Sequence, residues 1–198
     1  GNGAREHALL WKLARSSRNP ELFAAPGNGG TGELATNLNL AVDDIDGLLT
    51  AVRNRGIDLT VVGPEGPLAL GIVDHFRSEG YRVFGATQAA SRIEWSKAFS
   101  KQVMRTAGVP TAAFEIFQDF SSASAYITEH GAPVVIKADG LAAGKGVVVA
   151  HTVPQAQVAL KEMMIDHKDT LDLGTDDIRR MIDARTVTAL IKDWRKKV

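Results

Sequence analysis

Hydrophobic positions along the first 85 residues switch between a helical period and short apolar runs. Ala8, Leu9, Trp11, Leu13 and Ala14 give a broad apolar face to a helix predicted over residues 4–16, opened by the turn Gly1-Asn2-Gly3. A short strand near Leu22–Ala25 ends at Pro26 and leads into a glycine-dense loop, Gly27 to Gly32. Asp43 or Asp44 can cap the next helix, whose apolar positions are Ile45, Leu48, Leu49 and Val52, and Gly56 stops it. Asp58–Gly63 reads as a buried-type strand, residues 63–67 as a rigid Gly-Pro loop, and the following residues as a helix reaching Glu79 and closed by Gly80. Arg82–Gly85 is a further strand.

Strands alternating with helices predict a parallel sheet covered on both faces. In such sheets the working loops lie beyond the carboxyl ends of the strands, and the loops at 1–3, 26–32 and 63–67 all take that position. A second unit starts near residue 90. Ser91–Thr106 reads as one helix or two, ended by Gly108 and Pro110; residues 113–117 and 133–137 read as strands flanking a helix at 121–130. A glycine-rich tip over 138–146 joins the second of these to a strand at 147–151, and a helix runs from Pro154 to Met164. Residues 176–197 have a helical pattern with a basic end, Arg195-Lys196-Lys197, which reads as a solvated helix end rather than a nucleic-acid site.

Composition narrows the functional classes. A chain of 198 residues holds one domain or two small ones and is long enough to bury a core. It contains no cysteine, so disulfides, thiolate catalysis and Cys-based metal sites are excluded. The formal net charge is zero, which argues against a whole-chain electrostatic attraction to nucleic acid or to an anionic membrane. No run approaches a membrane span and no secretory leader opens the chain, so a cytoplasmic protein is expected. The histidines show no metal-ligand spacing, and no G-x-S-x-G elbow supports serine hydrolysis. His75, His130 and His151 read as structural or solvent-facing, and Trp95 as core.

The candidate chemistry sits in the loops. Gly140, Gly144 and Gly146 let the backbone approach a ligand, and Lys137 and Lys145 add positive charge, an arrangement that suits a polyphosphate. It is not a P-loop: three residues separate Gly140 from Gly144, Gly146 stands where Ser or Thr is required, and a strand follows instead of a helix. A plain flexible hairpin turn is the alternative. Gly1 to Gly3 before a helix suggests an anion site for the phosphate of a small substrate, with a tight turn as the alternative. Asn28, Gly29 and Gly30 permit an extended cradle, and Glu65 between Pro64 and Pro67 could recognise hydroxyls or an amine; loop punctuation is the alternative for both.

Five segments together carry a family likeness: GNGAREHALLWKLA, APGNGGTG, VVGPEGPLALGIVD, FGATQAASRIEWSKAFSKQVMRTAGVPTA and PVVIKADGLAAGKGVVVA. Their order and spacing over residues 1–164 resemble the phosphoribosylamine–glycine ligase (glycinamide ribonucleotide synthetase) family of purine biosynthesis. The resemblance implies an α/β fold: a Rossmann-like (pre-ATP-grasp) domain over 1–90, then the first part of an ATP-grasp domain over 91–164. It implies that ATP phosphorylates glycine and that the amine of 5-phosphoribosylamine attacks the resulting glycyl phosphate. Gly1, Asn2, Gly3, Arg5, Glu6, His7, Asn28, Gly29, Gly30, Pro64 and Glu65 match the loops that hold the phosphoribosyl substrate. Lys97, Lys137, Gly140, Gly144, Lys145 and Gly146 match the ATP-phosphate side, with Lys137 and Lys145 expected to act in catalysis.

The departures are equally informative. The apolar strand that the family places before the glycine turn is absent, and the likeness fades near Met164. No match to the family's Mg²⁺ (or Mn²⁺) carboxylates is found, so no metal ligand is expected in this chain. Residues 165–198 form a tail that the resemblance does not place. The expectations are therefore a ligase acting on small molecules, as a monomer or weak homo-oligomer. The alternatives are a catalytically incomplete binding fragment or another ATP-grasp carboxylate–amine ligase.

Overall fold

A computed structural model of the chain describes residues 1–141, 146–166 and 187–191. The fold divides after Ser91, giving units Gly1–Ser91 and Arg92–Val198.

In the first unit α1 (Ala4–Leu13) follows Gly3, and β1 (Phe23–Ala24) leads through α2 (Gly29–Gly32) to β2 (Thr36–Asn37). β1 and β2 pair in parallel, Phe23 opposite Thr36. α3 (Ile45–Arg55) is capped as the sequence predicts: the Asp44 side chain accepts from the Gly47 amide at 3.0 Å, and Gly56 closes the helix at φ +61°. β3 (Thr60–Val61) is followed by α4 (Glu65–Ala69), α5 (Ile72–Ser78) and β4 (Val83–Phe84). β3 and β4 are parallel, and Leu49 and Val52 of α3 join Ile72, Val73 and Phe76 of α5 and Val83 in the core.

Two expectations change here. The single helix expected after residue 67 and reaching Glu79 is two helices, α4 and α5, because Gly71 takes the left-handed conformation at φ +82° and breaks the ladder. The glycine-dense loop contains the short turn α2, capped by Asn28. The parallel pairing expected of this unit's strands is present, as two two-stranded pairs. An apolar cavity of about 210 Å³ is lined by both inner strands, at Leu22–Ala25 and Leu59–Val62, and no described strand bridges them. Accordingly α1 buries Leu10 alone of its large apolar residues and leaves Trp11 48% exposed.

Residues 91–106, read as one helix or two, fall in two, α6 (Gln88–Trp95) and α7 (Lys97–Thr106), and Trp95 is half-buried. Then come β5 (Phe114–Phe117), α8 (Phe120–His130), β6 (Val134–Ala138), β7 (Val147–Ala150), α9 (Val153–Met164) and β8 (Val187–Ile191). The sheet order is β5-β8-β6-β7, and its pairs are antiparallel. Ile136 of β6, Ile127 of α8 and Leu160 and Met163 of α9 form the core of this unit. α8 and α9 are further joined by Ser124 and Gln157, 2.8 Å apart.

The helix expected over 176–197 is wrong where the structure describes it. Residues 187–191 are a strand, with Leu190 opposite both Phe114 and Val135. Val187, Thr188 and Ile191 are β-branched, which disfavours helix, and a strand between β5 and β6 pairs its backbone on both sides. The rest of that predicted helix lies outside the described residues. Among the described residues no helix is long and apolar enough to cross a membrane.

Candidate functional site

The substrate-type loops of the first unit converge. Arg5, on the first turn of α1, reaches Glu65 Oε2 at 3.1 Å and Glu6 Oε1 at 3.3 Å. The hydrogen bond to Glu65 raises the Arg5 guanidinium above its ordinary value. Asn28 binds its own turn through Thr31, whose amide it accepts at 2.9 Å, and its Nδ2 donates to the Asn2 carbonyl at 2.8 Å. Gly30 lies flush against the His7 ring, where a Cβ would stand 2.4 Å from Cε1. Gly63 lies the same way against Glu6, with Pro64 next to it capping α4. Asn2, Arg5, Glu6, His7, Asn28, Gly30 and Glu65 thus belong to one cluster.

One feature of this cluster revises the anion-site expectation. The Gly3 amide at the start of α1 donates to Glu6 Oε2 at 2.8 Å. That amide is already engaged by a carboxylate, so the reading of Gly1 to Gly3 as a bare amide cradle does not hold for Gly3. What the loops bring together instead is a guanidinium, two carboxylates and an imidazole.

The phosphate-type residues of the second unit also come together. Lys97 opens α7 immediately after Ser96, which caps the helix by accepting from the Phe99 amide at 3.1 Å. The Lys97 Nζ donates to the Gly140 carbonyl at 2.8 Å. Lys137 lies on β6, opposite Val147 and Thr188, one strand residue before the loop begins. The loop's far end is pinned where the Gly146 carbonyl accepts from the Ala138 amide at 2.9 Å. Gly144 and Lys145 lie outside the described residues.

Burial lowers the Lys97 ammonium from its ordinary value, Asp139 opposes that shift, and the neighbouring Lys137 adds to it. Lys101, one turn further along α7, is lowered by burial and then by Lys137. Like charges that act on one another in this way repel. Lys101 was not among the sequence-derived candidates. Its signal is the i, i+4 spacing from Lys97, which puts both on one face of α7. Asp139 was also missed: it accepts from Ser96 and Ala98, and nothing in a lone Asp-Gly pair announces partners 41 residues or more away.

Among the described residues no group of three His, Asp or Glu side chains could hold a metal ion. Asp139, the carboxylate beside the glycine loop, is engaged on both oxygens. The described residues therefore do not fit the divalent cation that the resemblance implies.

The antiparallel sheet thus carries Lys137 on the strand before the glycine-rich stretch, and Lys97 reaches Gly140 from helix α7. Residues 95–173 match the phosphoribosylglycinamide synthetase ATP-grasp (A) domain, and residues 1–94 match the N domain of the same enzyme. The chain belongs to the phosphoribosylglycinamide synthetase family. It is 51% identical over 166 residues to the phosphoribosylamine–glycine ligase of Xanthomonas campestris, covering 83% of this chain and 38% of that protein. It is also 51% identical over 166 residues to that of Vibrio vulnificus, covering 83% of this chain and 39% of the relative. This chain therefore spans well under half the length of these relatives. The solved phosphoribosylamine–glycine ligase of Thermotoga maritima superposes with a TM-score of 0.70 at 26% identity, covering 97% of this chain and 42% of that one. The biotin carboxylase domain of Hydrogenobacter thermophilus 2-oxoglutarate carboxylase, solved with MgADP, shares the fold with a TM-score of 0.68 at 16% identity, covering 98% and 43%.

Proposed function

We propose that the chain carries the phosphoribosylamine-binding unit and the front of the ATP-binding unit of a cytoplasmic phosphoribosylamine–glycine ligase. In this reaction a glycine carboxylate oxygen attacks the γ-phosphorus of ATP, ADP leaves, and glycyl phosphate forms. The phosphoribosylamine nitrogen then attacks the glycyl carbonyl, phosphate leaves with the bonding electrons, and the amine proton is lost to give glycinamide ribonucleotide.

The observation that carries the reading is the pairing of two clusters with opposite tasks. In the first unit Glu65, oriented by Arg5, takes the substrate amine or hydroxyls, while Asn28, Gly29, Gly30 and His7 shape the cradle for the phosphoribosyl group. In the second, Lys97 and Lys137 face the polyphosphate and stabilise charge on the transferring phosphoryl, with Gly140, Gly144, Lys145 and Gly146 supplying the covering loop. The metal that such chemistry employs would neutralise phosphate charge, and no described residue is assigned to it.

A second reading is a chain that binds both ligands without completing turnover. Mixing the 198-residue chain with ATP, Mg²⁺, glycine and phosphoribosylamine, and following glycine-dependent ADP release, separates the two. Steady turnover sinks the binding-only reading. No turnover with ATP binding retained in calorimetry supports it, and loss of ATP binding overturns the assignment of the lysine cluster.

A further inference from the structure

We propose that Asp139 is the positioning residue that sets the Lys97 ammonium at the entrance of the glycine loop. This rests on the reading of Lys97 as a phosphate-facing residue, and the experiment below separates the two.

Asp139 directly follows β6, and both of its carboxylate oxygens are engaged across the unit. Oδ2 accepts from the Ser96 hydroxyl at 2.8 Å, and Oδ1 accepts from the Ala98 amide at 2.9 Å. Ser96 is 2% exposed, and its hydroxyl oxygen also accepts from the Phe99 amide at 3.1 Å. The Ser96 proton therefore goes to Asp139, and its lone pair goes to the helix. The first free amides of α7 are satisfied in sequence, Ala98 by Asp139 and Phe99 by Ser96.

Lys97 is the residue between these two anchors. Its backbone is fixed on both sides by groups that Asp139 holds, and from that anchored turn its side chain reaches the Gly140 carbonyl, 2.8 Å from Nζ. Gly140 has φ +95°, a conformation that side-chain-bearing residues rarely adopt, and it follows Asp139 directly. Asp139 thus organises both the donor, through α7, and the acceptor, through the next residue of its own chain. A carboxylate at the first turn of α7 also complements the helix dipole and balances part of the charge of Lys97. A simple cap would need one of these contacts. The two-sided engagement is what ties the cap to the lysine.

The test uses the full 198-residue chain with Asp139→Ala, Asp139→Asn, Ser96→Ala, Lys97→Ala and the Asp139→Ala/Lys97→Ala pair. Two readouts are taken: ATP affinity by calorimetry, and the rate at which an amine-reactive acetylating reagent labels Lys97 without nucleotide, by mass spectrometry. Losing a hydrogen-bonded carboxylate is expected to weaken ATP binding about tenfold in Asp139→Ala, and to speed Lys97 labelling severalfold. In the Lys97→Ala background the same substitution is expected to change ATP affinity less than about twofold, because its effect passes through that lysine. Ser96→Ala, which removes the Ser96 contacts to Asp139 and to the Phe99 amide but spares the Ala98 bond, gives a smaller effect in the same direction, as does Asp139→Asn. These two serve if Asp139→Ala does not fold. Unchanged Lys97 labelling in the folded variants overturns the proposal, and so do ATP effects that multiply in the paired variant. If the wild-type chain binds no ATP, the phosphate reading of Lys97 fails, and labelling alone still decides whether Asp139 holds the lysine.

Discussion

Gly30 shows how a single missing side chain connects two stretches of sequence. A Cβ there would come within 2.4 Å of Cε1 and 2.8 Å of Nδ1 of His7, so the imidazole and the second loop share one space. The obstructing atoms are the far end of a rotatable side chain. We therefore expect Gly30→Ala to cost little stability, at most about 1 kcal/mol, but to turn His7 out of place. The His7 ring resonances should shift, and affinity for a ribose-5-phosphate probe should fall. In a His7→Ala background the Gly30→Ala substitution should then have almost no further effect on that affinity. Equal losses in both backgrounds would show that Gly30 acts through its own backbone. The sequence marks Gly30 and His7 separately, one as a cradle residue and one as part of an N-terminal motif. That they touch depends on where β1 and α1 lie in space, which no spacing rule along the chain reveals. Lys101 and Asp139 are similar cases, since the partners that give each its role come from tertiary packing.

At the level of elements, the caps, the parallel pairing and most strand positions were legible, and β2 and β8 were not. The caps at Asp44 and Gly56 follow directly from side-chain type and period. The strands of the first unit are two residues long, too short for an apolar run to define their ends, and β2 has no apolar run at all. The tail at 187–191 misled because a period counted across 176–197 outweighed the β-branched residues inside it. Caps also carry a pH signature. At the start of α8 the Asp119 carboxylate accepts from the Ser122 amide at 2.8 Å, and hydrogen bonding to Ser122 lowers its pKa below the ordinary value of 3.8. A lowered folded-state value means the contribution is complete above 3.8 and is lost as pH falls through the folded value. Asn caps a helix as well as Asp but does not titrate. The wild type and Asp119→Asn should therefore melt alike at neutral pH, and the wild type should fall below the variant as pH drops under 3.8. A gap that stays constant across this range would remove Asp119 from the acid response of α8.

Over the whole molecule the charges cancel, 23 basic against 23 acidic residues, so any attraction for a polyphosphate has to be local. The proposed source is local: Lys97 and Lys101 share one face of α7, and Lys137 on β6 acts electrostatically on both. Charge partly withdrawn from water is screened less completely than surface charge, but a ligand approaching it still crosses solution, where the Debye length is about 10 Å at 0.1 M salt. ATP affinity should therefore weaken as salt rises from about 0.05 M to about 0.5 M, while the affinity of uncharged adenosine, if measurable, should stay level. Replacing Lys137 with Ala should lower ATP affinity and flatten that salt dependence, because one of the interacting charges is gone. Replacing Arg18, an exposed cation of the first unit, should change neither. If Lys137→Ala and Arg18→Ala alter the salt slope equally, attraction is spread over the whole surface, and the lysine cluster does not form the polyphosphate site.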